Sequence, residues 1–203
     1  MEKIKNIIFD LGGVFIDVNY LRTKEVFESL GILNFDDYFM QHHSNPLFSD
    51  LEKGLISPDV FFDGFRKETN SNLSDEEITT AWNAMLGDYF PEAVDWLFSI
   101  KDKYNVFLFS NTNQIHYDAF IPKFFKHYNM LLDDVFIKAY YSHTLQLRKP
   151  TPESFQAIID EQKLIPAETL FIDDTEVNIK GAEHVGLQTI FLKKPAKINE
   201  LGL

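Results

Sequence analysis

The 203-residue chain contains no cysteine, which excludes a disulfide framework and a thiolate zinc site. Long apolar runs are also missing: nothing approaches the roughly 18 consecutive apolar residues that a membrane-spanning helix needs. Basic residues are scarce beside acidic ones, 19 Lys and Arg against 31 Asp and Glu, for a net charge of -12. With no basic stripe, this balance speaks against a nucleic-acid partner. An acidic surface favours solubility. A chain of this charge that handles an anionic ligand must concentrate positive charge locally, by a metal ion or a placed lysine. The apolar stretch near the start is short and broken by charge, unlike a secretory signal, and a cytoplasmic location fits. No internal repeat or low-complexity tract is apparent.

What is present is a hydrophobic fraction of 45%, enough for a sizeable core. Strand signals lie at 4–9, 106–109, 135–141, 169–172 and 188–192. Helical patterns fall between them at 91–104, 151–162 and 176–184. Pro91 suits a first helical turn and Gly186 a helix end. This alternation predicts an α/β fold, a Rossmann-like parallel sheet flanked by helices.

Residues 19–89 break the pattern and show no convincing strand. Ser57-Pro58 and Ser74-Asp75-Glu76-Glu77 read as helix starts, the second with a capping-box partner at Glu77. This stretch is expected to be a helical insert after strand 1, its aromatics forming a core of their own, placed where it can roof the sheet edge. The expected division is 1–18 and 90–203 for the core and 19–89 for the insert.

Three strand signals end in polar groups. The first delivers Asp10 followed by Leu11-Gly12-Gly13, the second Ser110-Asn111-Thr112-Asn113, the third Asp173-Asp174. In a parallel sheet the carboxyl ends of the strands open on one crevice, where ligands bind. A carboxylate there can attack phosphorus, although Asp before Leu-Gly-Gly also suits a plain turn. Adjacent buried carboxylates repel unless one is protonated or both share a cation, and Mg²⁺ takes oxygen ligands. Equally, one of the two Asp residues can cap the helix that follows. Asn178 falls one helical turn after Asp174, within reach of a metal shell or a carboxylate. The Ser110–Asn113 string suits a phosphate cradle or ordinary capping. Lys149, fixed before Pro150, can hold a phosphate and offset several carboxylates.

Taken together, Asp10-Leu-Gly-Gly-Val14, Ser110, Lys149 and Asp173-Asp174 resemble the four motifs of the haloacid dehalogenase (HAD) superfamily of phosphohydrolases, over almost the whole chain. The Phe-Asp-Leu-Gly, Ser-Asn-Thr-Asn and Arg-Lys-Pro strings are most similar to the branch of bacterial α-glucose-1-phosphate phosphatases and the phosphatase domain of soluble epoxide hydrolase. The resemblance implies that the insert is an α-helical cap and that Asp10 is nucleophile and metal ligand. Gly12 would ligate Mg²⁺ through its carbonyl, Asp174 through its carboxylate, and Asp173 directly or through water. Ser110 and Asn111 would hold the phosphate, and Lys149 would neutralise it and Asp10. The implied activity is Mg²⁺-dependent hydrolysis of a small phosphorylated metabolite, such as a sugar 1-phosphate; the oligomeric state is left open.

One position departs from the pattern. The family's second aspartate, a general acid-base group worth about 10²–10⁴-fold, is Gly12 here. A substrate with a good leaving group would need less acid help. Asp17, Glu52 or His116 could substitute. Alternatively, the chain could be a non-catalytic protein that binds metal and phosphate. The missing acid also fits a 2-haloacid dehalogenase, but that reaction needs no cation and leaves Asp173-Asp174 unexplained. His116, like His42-His43, reads as an ordinary hydrogen-bonded histidine. In the insert, Arg22, Lys53, Arg66 and Trp82 could reach a sugar.

Overall fold

The computed structural model describes residues 4–40, 43–194 and 196–203. His42 lies outside the described residues, and of His43 only the backbone is described. The chain runs β1 (Asn6–Phe9), β2 (Ile16–Val18), α1 (Tyr20–Ser29), β3 (Phe39–Met40), β4 (His43–Ser44), α2 (Pro46–Glu52), α3 (Pro58–Thr69), α4 (Asp75–Asn83) and β5 (Leu86–Tyr89). There follow α5 (Pro91–Ile100), β6 (Asn105–Ser110), α6 (Gln114–Tyr128), β7 (Lys138–Tyr141), α7 (Ser142–Leu145), α8 (Pro152–Gln162), β8 (Thr169–Asp173), α9 (Glu176–His184) and β9 (Gln188–Phe191).

Five strands form a parallel sheet in the order β7-β6-β1-β8-β9. The fully buried strand β1 lies in the middle and pairs Phe9 with Leu108 on one side and Ile172 on the other. That register brings the ends of β1, β6 and β8 level at one edge. Successive side chains point to opposite faces. Ile7, Phe9, Leu108 and Ile172 pack on one side with α5 and α6. Ile8, Phe107, Phe109 and Phe171 pack on the other with α8 and α9. All five sheet strands and the helices α5, α8 and α9 match the sequence reading, whereas α6 (Gln114–Tyr128), interrupted in sequence by Pro122, and the short α7 were not anticipated. Two ends are trimmed: the helix expected over 91–104 stops at Ile100, and the strand expected from 135 begins at Lys138.

The helical stretch between β2 and β5 has its own aromatic cluster, built on Phe27, Phe35, Phe48, Phe61, Phe65 and Trp82. Fully burying each such side chain is worth about 1.5–3 kcal/mol. Ser57 caps α3, and Ser74 with Glu77 forms the expected capping box on α4. Contact with the sheet half runs through α6, where Ile115 joins the aromatic cluster and His116 stacks on Trp82 at 4.8 Å between ring centroids.

The reading of 19–89 as strand-free needs correction. Leu86–Tyr89 is a strand, pairing antiparallel with Ile16–Val18, and Phe39–Met40 pairs with His43–Ser44. Leu-Gly-Asp-Tyr has no β-branched residue and no apolar alternation; it becomes a strand because β2 is alongside it, not by its own propensity. No described helix is long and apolar enough to cross a membrane.

Candidate active site

The site is assembled at the carboxyl edge of the sheet. Asp10 follows β1 directly, and its N–H donates to the Ile172 carbonyl at 2.9 Å, so the chain leaves the sheet only after placing this carboxylate. The tight turn that follows closes through Phe15 N–H to Leu11 O (2.9 Å) and Gly13 N–H to Ile16 O (2.8 Å). The two glycines of this turn differ. Gly13 has φ +71°, and a Cβ there would lie 2.0 Å from Asp174 Oδ2, so only glycine fits. Gly12 has no such backbone, and a Cβ would meet only Val18 Cγ2 at 3.2 Å.

Lys149 is the hub. It is 1% exposed, and its Nζ lies 2.7 Å from both Asp10 Oδ1 and Asp173 Oδ2. The rings of Phe109 and Phe171 flank the ammonium, each centroid at 5.3 Å. Burial alone would pull its pKa down; Asp10 and Asp173 outweigh that and raise it. Its backbone is held by Asn111, whose amide accepts from Lys149 N–H and donates to Lys149 O, both at 2.9 Å. The Asn111 side chain is therefore spent on positioning the lysine.

The paired acids divide the work. Asp173 is fully buried and saturated: besides Lys149 it accepts from Thr175 N–H at 2.7 Å and from Asn178 Nδ2 at 3.0 Å. Those contacts make it counter-ion to Lys149 and tie it to the start of α9, whose N-cap is Thr175. Asn178 thus serves Asp173. Asp174 is partly open to the cleft and accepts from Thr175 Oγ1 at 3.2 Å. Carboxylate oxygens of Asp10, Asp173 and Asp174 all lie within 4.8 Å of one another.

Three carboxylates against one ammonium leave excess negative charge. Burial, then Asp173, pushes the pKa of Asp10 up to about 7, and the same two causes raise Asp174. A hard divalent cation relieves this strain, and an all-oxygen donor set is what Mg²⁺ prefers. The residues fit the ion.

Ser110 ends β6 beside Asp10 and is nearly buried. Asn113 caps α6 by accepting from His116 N–H at 3.0 Å, leaving the first turn of that helix directed at the crevice. Above lies a cleft of about 710 Å³, walled by Tyr20, Phe39, Glu52, Trp82 and Met85 from the insert and by His116, Arg148 and Lys194 from the sheet half. His116 is a neutral imidazole, its pKa lowered to about 3 by burial, with Nδ1 2.8 Å from Asn83 Oδ1.

Sequence-marked residues with other engagements are Asp17, paired with Arg22 at 2.8 Å and outside the cleft lining; Lys53, paired with Asp50; and Arg66, held by Asp63 and Asp75. Sequence reasoning missed Tyr20, Phe39, Arg148 and Lys194 as cleft residues. Only Arg148 carried a signal, its place beside Lys149.

Residues 4–186 match the haloacid dehalogenase-like hydrolase family. The chain belongs to that family. D-ribitol-5-phosphate phosphatase of Bacteroides thetaiotaomicron is 32% identical over 92% of this chain and 90% of its own length. The HAD family enzyme bt-2542 of the same organism, solved as an Asp-to-Ala variant with magnesium and inorganic phosphate, superposes with a TM-score of 0.93 at 37% identity, covering 98% of both chains. A predicted HAD-like hydrolase from Porphyromonas gingivalis gives 0.86 at 31% identity, over 95% of this chain and 92% of that one. The L-2-haloacid dehalogenase of Xanthobacter autotrophicus, at 16% identity and a TM-score of 0.58 over 93% of this chain and 77% of that one, shares the fold alone. This HAD hydrolase therefore carries the family's sheet and an acid cluster at its expected edge.

Proposed function

We propose that the protein is a Mg²⁺-dependent phosphomonoester hydrolase of a small polyhydroxylated phosphate, with Asp10 as nucleophile and residues 19–89 acting as its cap. The observation that carries this reading is Lys149 bridging Asp10 and Asp173 beneath the cleft, with Asp174 in the same cluster. Asp10, Asp174 and the Gly12 carbonyl would hold the ion, with Asp173 behind them. When bound, the ion supplies charge stabilisation for the transferring phosphoryl group.

In the first step a carboxylate oxygen of Asp10 bonds to phosphorus as the ester P–O bond breaks and its electrons leave with the alkoxide. Lys149 orients Asp10 and favours its ionised form against burial and Asp173. Ser110, together with the Asn111 backbone N–H, cradles the phosphoryl oxygens; the Asn111 side chain holds Lys149, and the Thr112 N–H donates to Ser142 Oγ at 2.9 Å. Water then attacks the aspartyl phosphate, releasing phosphate and restoring Asp10. Position 12 has no acid to protonate the departing oxygen, so the rate depends on the leaving group. A sugar 1-phosphate, which leaves through an anomeric oxygen, fits that requirement. A polyol phosphate such as the relative's D-ribitol 5-phosphate fits a cleft whose walls carry Tyr20, Glu52 and Arg148.

The test is phosphate release from a panel of sugar 1-phosphates, polyol phosphates and acyl phosphates, with Mg²⁺ and with EDTA. Asp10→Asn should abolish release, and Asp174→Asn should shift the Mg²⁺ activation curve to higher concentration. An unchanged metal titration reassigns the ligand. Binding of Mg²⁺ without release from any ester moves the reading to a non-catalytic binding protein.

A further inference from the structure

The two walls of the cleft, insert and sheet half, carry polar atoms for which the fold supplies no hydrogen bond. Among the described residues five buried side-chain polar atoms lack a hydrogen bond, and three of them, Glu52 Oε2, Arg148 Nε and Trp82 Nε1, belong to residues lining this cleft. Arg148 Nη1 lies 2.7 Å from Glu52 Oε2, an ion pair lying off the axis of a hydrogen bond. Buried polar atoms in native folds are almost always satisfied, and each orphan costs about 1–3 kcal/mol. Two orphans, Arg148 Nε and Trp82 Nε1, beside a Glu52–Arg148 ion pair that lacks hydrogen-bond geometry point to a ligand that satisfies them.

Their chemistry describes that ligand. Glu52 offers an acceptor, Arg148 and Trp82 offer donors, and the carboxylate cancels the guanidinium. A subsite with both functions and no net charge suits hydroxyl groups, which donate and accept at once. It does not suit a second carboxylate or phosphate. Tyr20 lines the same cleft as Glu52, Asp10 and Asp174, and its pKa is raised by burial and by the charges of all three.

We propose that Glu52, Arg148 and Trp82 form the subsite that reads the hydroxyl groups of the substrate's tail, and that it selects uncharged polyol chains over carboxylated ones. The proposal rests on the phosphatase reading above. Glu52 is then a specificity residue, and its role differs measurably from that of a proton donor replacing the acid missing at Gly12. A proton donor serves every poor leaving group; a hydroxyl reader serves only hydroxylated ones.

Steady-state kinetics on three phosphates of equal chain length separates the roles: a pentitol phosphate, n-pentyl phosphate and the matching phosphorylated aldonate. All three leave through a similar primary alkoxide. In Glu52→Gln the pentitol phosphate KM should rise about 10- to 100-fold, the scale of a hydrogen bond to a charged group. The ratio of kcat/KM for pentitol over pentyl phosphate should collapse accordingly. The aldonate should gain, because Arg148 loses its neutralising partner. Trp82→Phe keeps the ring and removes one donor, and should lower the same ratio about 2- to 10-fold. An equal loss on pentitol and pentyl phosphates overturns the proposal in favour of a proton-donor or purely structural Glu52. So does an unchanged ratio in both variants. If the wild-type enzyme releases no phosphate from any of the three or from an aryl phosphate, it is the phosphatase reading that falls.

Discussion

The floor and the roof of the cleft are built on opposite terms. On the floor, Lys149 and Asp173 are surrounded by partners: the ammonium holds two carboxylates, and Asp173 accepts from Lys149, Thr175 and Asn178. Higher in the cleft, where Glu52 and Trp82 of the insert face Arg148 of the sheet half, Arg148 Nε and Trp82 Nε1 keep no hydrogen bond and the Glu52–Arg148 ion pair lacks hydrogen-bond geometry. A fully satisfied buried network is rigid, which suits phosphoryl transfer, where positioning does most of the work. Unspent hydrogen-bonding capacity suits recognition, since substrate supplies what is missing. The comparison assigns chemistry to the sheet edge and selectivity to the insert together with Arg148, which faces it.

The largest expected effect breaks the floor. Lys149→Met keeps the length of the side chain and removes the charge, leaving Asp10 and Asp173 buried without their counter-ion. Turnover should fall to background, and stability in EDTA should drop by about 3–5 kcal/mol, read from the denaturation midpoint. Added Mg²⁺ should recover part of that loss. An unchanged midpoint would mean that the lysine is not the partner that makes the acid cluster tolerable.

A smaller effect is expected at Gly12. Its backbone accepts a side chain, and only Val18 Cγ2, 3.2 Å from the Cβ position, must give slightly. Gly12→Asp should speed hydrolysis of primary alkyl phosphates by up to about 10²-fold while changing aryl phosphates little. No gain on any alkyl phosphate would remove the missing acid as the limit on rate.

The effect that is smallest at neutral pH, and grows only in acid, concerns the seam between floor and roof. His116 is buried neutral, with its pKa lowered from 6.5 to about 3 by burial. The unfolded chain therefore binds a proton that the folded one refuses between those values. The stability this residue contributes is full above pH 6.5 and is lost as pH falls toward 3, with a slope of up to about 1.4 kcal/mol per pH unit. In His116→Gln that part of the acid sensitivity should vanish, so the difference between wild type and variant should shift across this window. Parallel stability–pH curves would contradict a neutral buried imidazole.

Much of this was legible in the chain, for identifiable reasons. Buried strands such as Ile7-Ile8-Phe9 and Leu170-Phe171-Ile172 are continuous apolar runs, and a polar residue at their end is conspicuous; Asp10, Ser110 and Asp173-Asp174 stood out on that account. Helix α9 was bounded correctly because its stop signal, Gly186, is local. Pairings made only in three dimensions were hidden. Leu86–Tyr89 takes its strand form from β2, Asn111 spends its amide on the Lys149 backbone, and Glu52 meets Arg148 across the cleft. The division of labour between Asp173 and Asp174 was equally out of reach, since adjacency says nothing about which carboxylate faces inward.

The central claim is that Asp10 becomes covalently phosphorylated during turnover. The direct measurement is acid quench of the working enzyme with Mg²⁺ and a polyol or aryl phosphate, followed by mass spectrometry of the peptide containing Asp10. The account predicts a peptide heavier by one phosphoryl group, localised to Asp10 and absent with EDTA. Steady phosphate release with that peptide unmodified at every quench time would contradict it.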